Sequence, residues 1–184
     1  MAMRPTNQSR TASILLAESN PQIRTAIRSI LLHYQFSNVT EASDSKAFID
    51  SIRSAPYGVI LLDSGIPNLD AVAVTRFIRS GKLGINRTAI IILLAHRSDM
   101  TFVYEAREAG VTELVVKPFS SSVLMTRLVG ALEKPRPFIT SDGYNGPCRR
   151  TGRVEPDIEP PKQRIEDQGV TRNEELVILS RDAS

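Results

Sequence analysis

Short apolar runs alternate with longer segments of helical period between residues 13 and 134. The runs are rich in Ile, Leu and Val and lack polar alternation, which is typical of strands buried on both faces of a parallel sheet. Five runs are present: residues 14–17, a weak one near Val39, residues 59–62, residues 89–95 and residues 113–116. We therefore predict five strands.

A segment with helical features follows each run. After the first run, Asn20-Pro21 supplies an N-cap and a proline at the first helical position, and apolar residues then recur on one face. We predict the other helices over residues 44–54, 70–80, 98–109 and 120–133, with Gly81 and Gly110 as stops. The pattern predicts an α/β, (βα)5 flavodoxin-like sandwich of three layers, which binds ligands at the carboxyl ends of its central strands.

Composition sets the domain limits. We expect residues 1–12 to be disordered and residues 13–134 to form the folded domain. Six of the 11 prolines follow residue 134, so we expect residues 135–184 to be mostly disordered or draped over the domain. Within that tail, Thr171-x-x-Glu174 before an apolar run is a capping-box pattern, which indicates a short helix at 172–180.

Charge and cysteine content exclude several function classes. A net charge of only +3 makes strong binding to nucleic acid unexpected, and no apolar stretch is long enough for a membrane span or a secretion signal. We expect a cytoplasmic protein. Cys148 is the single cysteine, so no internal disulfide can form, and we expect an exposed thiol. The segment 143–150 fits either a docking motif or a solvated turn.

Polar residues follow four of the predicted strands. Glu18 and Ser19 follow the first run, Asp63 the third, His96 the fourth and Lys117 the fifth. Two carboxylates at this edge of a sheet can hold Mg²⁺, and an ammonium can pair with an anion bound beside it, so the set indicates a phosphoryl site. For His96 we expect a solvent-facing loop residue rather than a base or a ligand.

The segments that carry these residues resemble the receiver domain of bacterial two-component response regulators over about residues 12–134. Residues 14–24 are similar to the family's first strand and acidic turn, residues 59–70 to its phosphoacceptor segment, and Lys117-Pro118-Phe119 to its last strand and turn. The resemblance implies that Asp63 accepts a phosphoryl group from a histidine kinase or phosphotransfer protein. It further implies that Lys117 contacts the phosphoryl oxygens, and that Glu18, Asp63 and the backbone carbonyl of Gly65 hold Mg²⁺.

Three positions depart from the family pattern. Ser19 stands where the acidic turn has its second acid, Leu94 where a hydroxyl residue contacts the phosphoryl group, and Leu114 where the family has a switch aromatic. Loss of a carboxylate predicts weak Mg²⁺ binding. Loss of the hydroxyl and the aromatic predicts weak or altered switching.

Three functions remain open at this point. The first is a stand-alone, atypical, chemotaxis-type receiver. It would not be an enzyme and would act on a downstream protein target, since we expect no DNA-binding or enzymatic domain after residue 134. The second is a pseudo-receiver adaptor that binds partners without phosphorylation. A different flavodoxin-like enzyme or nucleotide binder ranks last, because no glycine-rich phosphate loop follows the first strand. The sequence leaves the oligomeric state open.

Overall fold

The fold is built on a parallel five-stranded sheet, in a computed structural model that describes residues 5–141 and 143–149. The strands lie in the order β2-β1-β3-β4-β5. Every residue of the interior strands β1 and β3 is buried, which explains their unbroken apolar sequences. In chain order the strands are β1 (Ile14–Ala17), β2 (Val39–Ala42), β3 (Val59–Asp63), β4 (Ile90–Ala95) and β5 (Glu113–Val116).

Helices surround the sheet: α1 (Asn7–Arg10), α2 (Pro21–His33), α3 (Ser45–Ser54), α4 (Ala71–Ser80), α5 (Met100–Glu108) and α6 (Ser121–Glu133). Each of the five long helices begins after a residue whose side chain accepts a hydrogen bond from a first-turn N–H group. These N-caps are Asn20, Asp44, Asp70, Asp99 and Ser120. Gly81 ends α4 with φ +81°, in the left-handed region that glycine tolerates best.

Alternate strand residues face two separate apolar cores. One core packs under α3, α4 and α5, and the other packs under α2 and α6. This arrangement confirms the predicted three-layer (βα)5 flavodoxin-like fold. The predicted strands at 14–17 and 113–116 match the observed bounds, and the predicted helices differ from the observed ones by one or two residues at their ends.

The chain before the sheet departs from the expectation of disorder for residues 1–12. Within the described part, α1 is a short helix capped by Thr6, whose side chain accepts a hydrogen bond from the Ser9 N–H group. The Thr6 backbone N–H group also donates to Glu133 Oε1 in α6 at 2.9 Å. The second contact joins residues 127 positions apart, so no local sequence signal could reveal it.

The chain after α6 also departs from the expectation. Instead of ending at residue 134, the compact unit extends to Cys148. Strands β6 (Phe138–Ser141) and β7 (Tyr144–Pro147) form an antiparallel hairpin, with Gly143 at φ +85° in the turn. Within the segment 143–150, residues 144–147 form a strand of this hairpin rather than a solvated turn, and Cys148 is half-buried rather than exposed. The helix indicated at 172–180 lies outside the described residues.

Arg79 contacts both the hairpin and the loops around the sheet. Its guanidinium is buried and donates to the carbonyl oxygens of Gly110, Arg87 and Ala89 at 2.7 to 2.9 Å. It also lies 5.7 Å from the centre of the Phe138 ring, in the geometry of a cation–π contact. Burial lowers the pKa of Arg79 to about 10, so the side chain remains protonated at neutral pH.

Candidate functional site

Four polar side chains lie just beyond the carboxyl ends of the strands, on the same side of the sheet as one of the two cores. Side chains alternate between the faces of a strand, so a residue two positions beyond a core residue continues the same face. The core under α2 and α6 contains Leu16, Leu61, Leu94 and Val115, and two positions beyond them stand Glu18, Asp63, His96 and Lys117. The apolar pattern that builds this core therefore also aims the four polar groups at one place.

Lys117 lies between the two carboxylates. Its Nζ is 2.5 Å from Glu18 Oε2 and 2.8 Å from Asp63 Oδ1. The carboxylate side chains are only 2% exposed, and the lysine side chain is 10% exposed. The two buried carboxylates repel each other because both are negatively charged. The ammonium that lies between them offsets this repulsion. The structure thus brings together the two acids and the lysine singled out in the sequence.

Glu18 is held in place by the turn that follows β1. Its Oε1 accepts a hydrogen bond from the Asn20 N–H group at 2.9 Å. Arg24, from the first turn of α2, donates to the Glu18 carbonyl oxygen at 2.7 Å and to the Ser19 carbonyl oxygen at 3.4 Å. Both Glu18 carboxylate oxygens are therefore engaged, and the backbone of the turn is fixed by a second cation.

Asp63 has one engaged oxygen and one open oxygen. Oδ1 carries the contact with Lys117, whereas Oδ2 receives no hydrogen bond from the described residues. Oδ2 faces Gly65, because a Cβ atom built on that glycine would lie 3.2 Å from it. The two carboxylate oxygens of Asp63 therefore have different neighbours. Oδ1 contacts the Lys117 ammonium, and Oδ2 faces the backbone of Gly65.

His96 differs from the expectation of a merely solvent-facing loop residue. Its side chain is 53% exposed, yet its Nε2 atom lies 3.0 Å from Asp63 Oδ1. It also lies 3.5 Å from Lys117 Nζ. The backbone places it there, since the His96 N–H group donates to Ser64 Oγ at 3.2 Å and the Ser64 N–H group to the Leu94 carbonyl oxygen at 2.9 Å.

This arrangement suits reaction of a carboxylate with an electrophile that carries negative oxygens. An ionised carboxylate such as that of Asp63 can act as a nucleophile, and the positive and N–H groups beside Oδ1 can stabilise the negative oxygens of the electrophile. The open Oδ2 and the carbonyl of Gly65 are oxygen ligands of the kind that Mg²⁺ prefers.

Comparison with known proteins gives the family. A family model described as the response regulator receiver domain matches residues 14–129, which is more than half of the chain. The chain belongs to this family. Receiver domains are signalling modules, and the match covers all five strands of the parallel sheet and ends within α6. It ends before the β6–β7 hairpin.

Curated relatives of this receiver are transcriptional regulators. Transcriptional regulatory protein CseB of Streptomyces avermitilis is 30% identical over 165 residues, which cover 85% of this chain and 68% of that protein. Transcriptional regulatory protein KdpE of Mycobacterium tuberculosis is 30% identical over 138 residues, which cover 71% of this chain and 58% of that protein. This chain therefore spans from over half to about two thirds of the length of these relatives.

A solved structure supports the same assignment. The receiver domain of a sensor histidine kinase from Pseudomonas aeruginosa PAO1 is 29% identical, with a TM-score of 0.59. The alignment covers 67% of this chain and 99% of that domain. Its magnesium ion is coordinated in the active site cleft. The part of the present chain that the structure describes has no helix long and apolar enough to span a membrane.

The three residues that depart from the receiver pattern lie in three different environments. Ser19 is half-buried in the turn beside Glu18. Leu94 is fully buried and pairs in register with Asp63, whereas Leu114 packs against the core on the opposite face of the sheet. The two leucines thus belong to separate cores, and neither side chain offers a hydrogen bond to the site.

Two features of the site escaped the sequence interpretation. His96 stands two positions after the core residue Leu94, and this same-face spacing, which Glu18, Asp63 and Lys117 share, would have indicated it. The contact between Arg24 and the turn carbonyls had only a weak signal, because an arginine in a first helical turn is more often exposed to solvent.

Proposed function

We propose that Asp63 accepts a phosphoryl group and that the chain transmits this signal by contact with another protein. The observation that carries the proposal is the shared ammonium: Lys117 Nζ bridges the buried carboxylates of Asp63 and Glu18. A lysine in this position neutralises a nucleophilic carboxylate at rest and can then pair with the incoming phosphoryl oxygens. Phosphoryl transfer needs mainly such positioning and charge neutralisation.

The phosphoryl donor in this proposal is a phosphohistidine of a histidine kinase or phosphotransfer protein. Asp63 Oδ1 forms a bond to phosphorus, and the bond from phosphorus to the imidazole nitrogen of the donor breaks. The donor imidazole keeps the electron pair and takes up a proton from solvent. The Lys117 ammonium then pairs with the phosphoryl oxygens, and it stays partly in contact with the Glu18 carboxylate.

The residues fit a Mg²⁺ ion that keeps several of its waters. Asp63 Oδ2 is without a hydrogen bond from the described residues, and Glu18 and the Gly65 carbonyl complete the protein's oxygen donors. When bound, the ion would neutralise charge on the transferring group. Because both Glu18 oxygens are engaged and Ser19 adds no carboxylate, we propose that this Mg²⁺ site is weak.

Output by protein contact is supported by exposed apolar residues on α5 and β5. Met100 and Tyr104 lie one turn apart on α5, and Val116 lies on the edge strand β5 next to Lys117. Their exposed fractions are 64%, 47% and 37%, so each side chain offers apolar area to a binding partner. We propose that a protein target binds here, with the chain acting as a stand-alone, atypical receiver in the cytoplasm.

A phosphorylation-independent adaptor is the second candidate, and the buried leucine in register with Asp63 favours it. In that case the chain binds its kinase or target without the chemical step. Incubation with acetyl phosphate and Mg²⁺ followed by a Phos-tag gel separates the two. We expect a shifted band for the wild type and for Asp50→Asn, whose carboxylate is exposed on α3, and none for Asp63→Asn. An unshifted wild type supports the adaptor.

A further inference from the structure

His96 supplies a polar group where strand β4 otherwise has none. The β4 residue in register with Asp63 is Leu94, which is fully buried and whose side chain cannot form a hydrogen bond. The next residue on the same face is His96, and its Nε2 atom lies 3.0 Å from Asp63 Oδ1. Of all the side chains of β4 and its end, this imidazole is the one in hydrogen-bond contact with the carboxylate.

With Asp63 ionised, the hydrogen in this contact has to come from the imidazole. An ionised carboxylate only accepts hydrogen bonds, so Nε2 must carry the hydrogen. Lys117 Nζ is 2.8 Å from the same Oδ1 atom and 3.5 Å from Nε2. Two donors from different strands thus converge on one oxygen, and that oxygen is the one we assign to attack on phosphorus.

Gly65 leaves room for the ring. A Cβ atom at this position would lie 2.8 Å from His96 Nε2 and 3.0 Å from its Cδ2, closer than real contacts of this kind. The imidazole therefore rests against bare backbone, and a side chain at position 65 would push it away from Asp63. This relationship offers a second way to disturb the contact without altering His96 itself.

We propose that His96 is a further catalytic residue of the phosphoryl-transfer site, with its Nε2–H group donating to a phosphoryl oxygen. The inference rests on the proposed function of Asp63. As the bond between Oδ1 and phosphorus forms and the donor's bond to phosphorus breaks, negative charge lies on the phosphoryl oxygens. His96 stabilises that charge, keeps its proton, and takes the role that Leu94 cannot fill.

The test is the rate at which acetyl phosphate and Mg²⁺ label the full chain, followed by intact mass. Removing one preorganised donor at a reacting oxygen commonly costs 100-fold or more, and half-exposure of the ring reduces this, so we expect His96→Ala to slow labelling about 10-fold. His96→Gln keeps an N–H donor and should retain most of the rate. Gly65→Ala should resemble His96→Ala. His33→Ala, which alters an exposed histidine at the end of α2, should match the wild type.

A second readout needs neither phosphate nor metal. Nitrogen-15 NMR of the imidazole ring should show a proton on Nε2 of His96 in the resting chain, and a proton on Nδ1 alone would overturn the inference. Equal labelling of the wild type and His96→Ala would overturn it as well while leaving Asp63 as the acceptor. Labelling of the wild type no greater than that of Asp63→Asn would overturn the proposed function, and the inference with it.

Discussion

Glu18 and Lys117 are 99 residues apart in the chain, yet the lysine Nζ lies 2.5 Å from a Glu18 carboxylate oxygen. The ion pair is buried, and in the proposed Mg²⁺ site it leaves Glu18 with both carboxylate oxygens already in contact with other groups. Together with Ser19, it makes the site poor in free carboxylate oxygens. This relationship leads directly to an expectation for metal affinity.

Ser19→Asp should strengthen Mg²⁺ binding about 10-fold, because the added carboxylate raises the negative charge available to a hard cation. Isothermal titration calorimetry measures the change. Ser122→Asp adds the same charge on the exposed face of α6 and should alter the affinity little. Equal affinities for the wild type and Ser19→Asp would show that position 19 does not face the ion.

Beryllofluoride should perturb only the neighbourhood of the site. Leu94 and Leu114 lie in separate cores and offer no hydrogen bond, so neither has a contact that changes with the added charge. A group that interacts equally with two conformations does not shift the equilibrium between them. In NMR spectra with Mg²⁺, we expect shifts confined to residues near Asp63. Shifts that spread along β4, α5 and β5 would reveal a relay that does not use these leucines.

Much of this picture follows from local sequence signals. Asn20, Asp70 and Gly81 mark helix ends by their own side-chain or backbone chemistry, and the unbroken apolar runs mark strands, so element bounds could be predicted closely. Glu18, Asp63 and Lys117 could be placed together because parallel strands end at one edge. The same spacing places His96 at this edge, but its contact with Asp63 also depends on a ring packed against Gly65, and single residue types do not show such packing.

The hairpin was missed for a related reason. Strands β6 and β7 are short, and Pro137, Gly146 and Pro147 weaken their intrinsic strand pattern. Their stability comes from docking against Arg79 and Gly110, which lie far away in sequence. Composition alone favoured a disordered tail, because contacts with residues distant in sequence are not visible in composition.

The docked hairpin should matter for stability. A chain that ends at residue 134 loses Phe138 over Arg79 and the two hydrogen bonds from Arg87 to Thr140 and Asn145. We expect it to be less stable by about 3 kcal/mol. A chain that ends at residue 148 should unfold like the full chain. Urea denaturation followed by circular dichroism compares the three, and equal midpoints for all of them would mean that the hairpin adds nothing.

Gly110→Ala should disrupt the same docking. The residue has φ +90°, and an added Cβ atom would lie 2.7 Å from the Asn145 carbonyl oxygen. The strain and the collision together should cost about 2 kcal/mol in the free energy of unfolding. Gly130→Ala is a matched control within α6, where an added Cβ atom meets nothing within 4 Å, so this change should stabilise the chain slightly. Thermal unfolding that ranks Gly110→Ala at or above the wild type would contradict the docking.

The N-cap of α3 should give a pH-dependent effect. A hydrogen bond from the Ala47 N–H group, assisted by Ser43, lowers the pKa of Asp44 below its ordinary value of 3.8. A lowered carboxyl pKa means that the stabilisation is present above pH 3.8 and is lost as the pH falls through the lower, folded-state pKa. Asp44→Ala should cost about 1 kcal/mol at pH 7.

Asp44→Asn is the control for this effect, since a neutral amide oxygen still caps the helix. Urea unfolding at a series of pH values should show that the difference between the wild type and Asp44→Ala shrinks in acid. The wild type and Asp44→Asn should differ little at pH 7. A difference between wild type and Asp44→Ala that is constant with pH would assign the cap to another group.

Site-resolved mass spectrometry can show whether Asp63 carries the phosphoryl group. The full chain is incubated with acetyl phosphate and Mg²⁺, reduced with borohydride, which converts an aspartyl phosphate to homoserine, and then digested and sequenced by tandem mass spectrometry. We predict homoserine at position 63 and unmodified aspartate at position 50. Aspartate retained at position 63, or homoserine at other acidic positions instead, would show that Asp63 is not the phosphoryl acceptor.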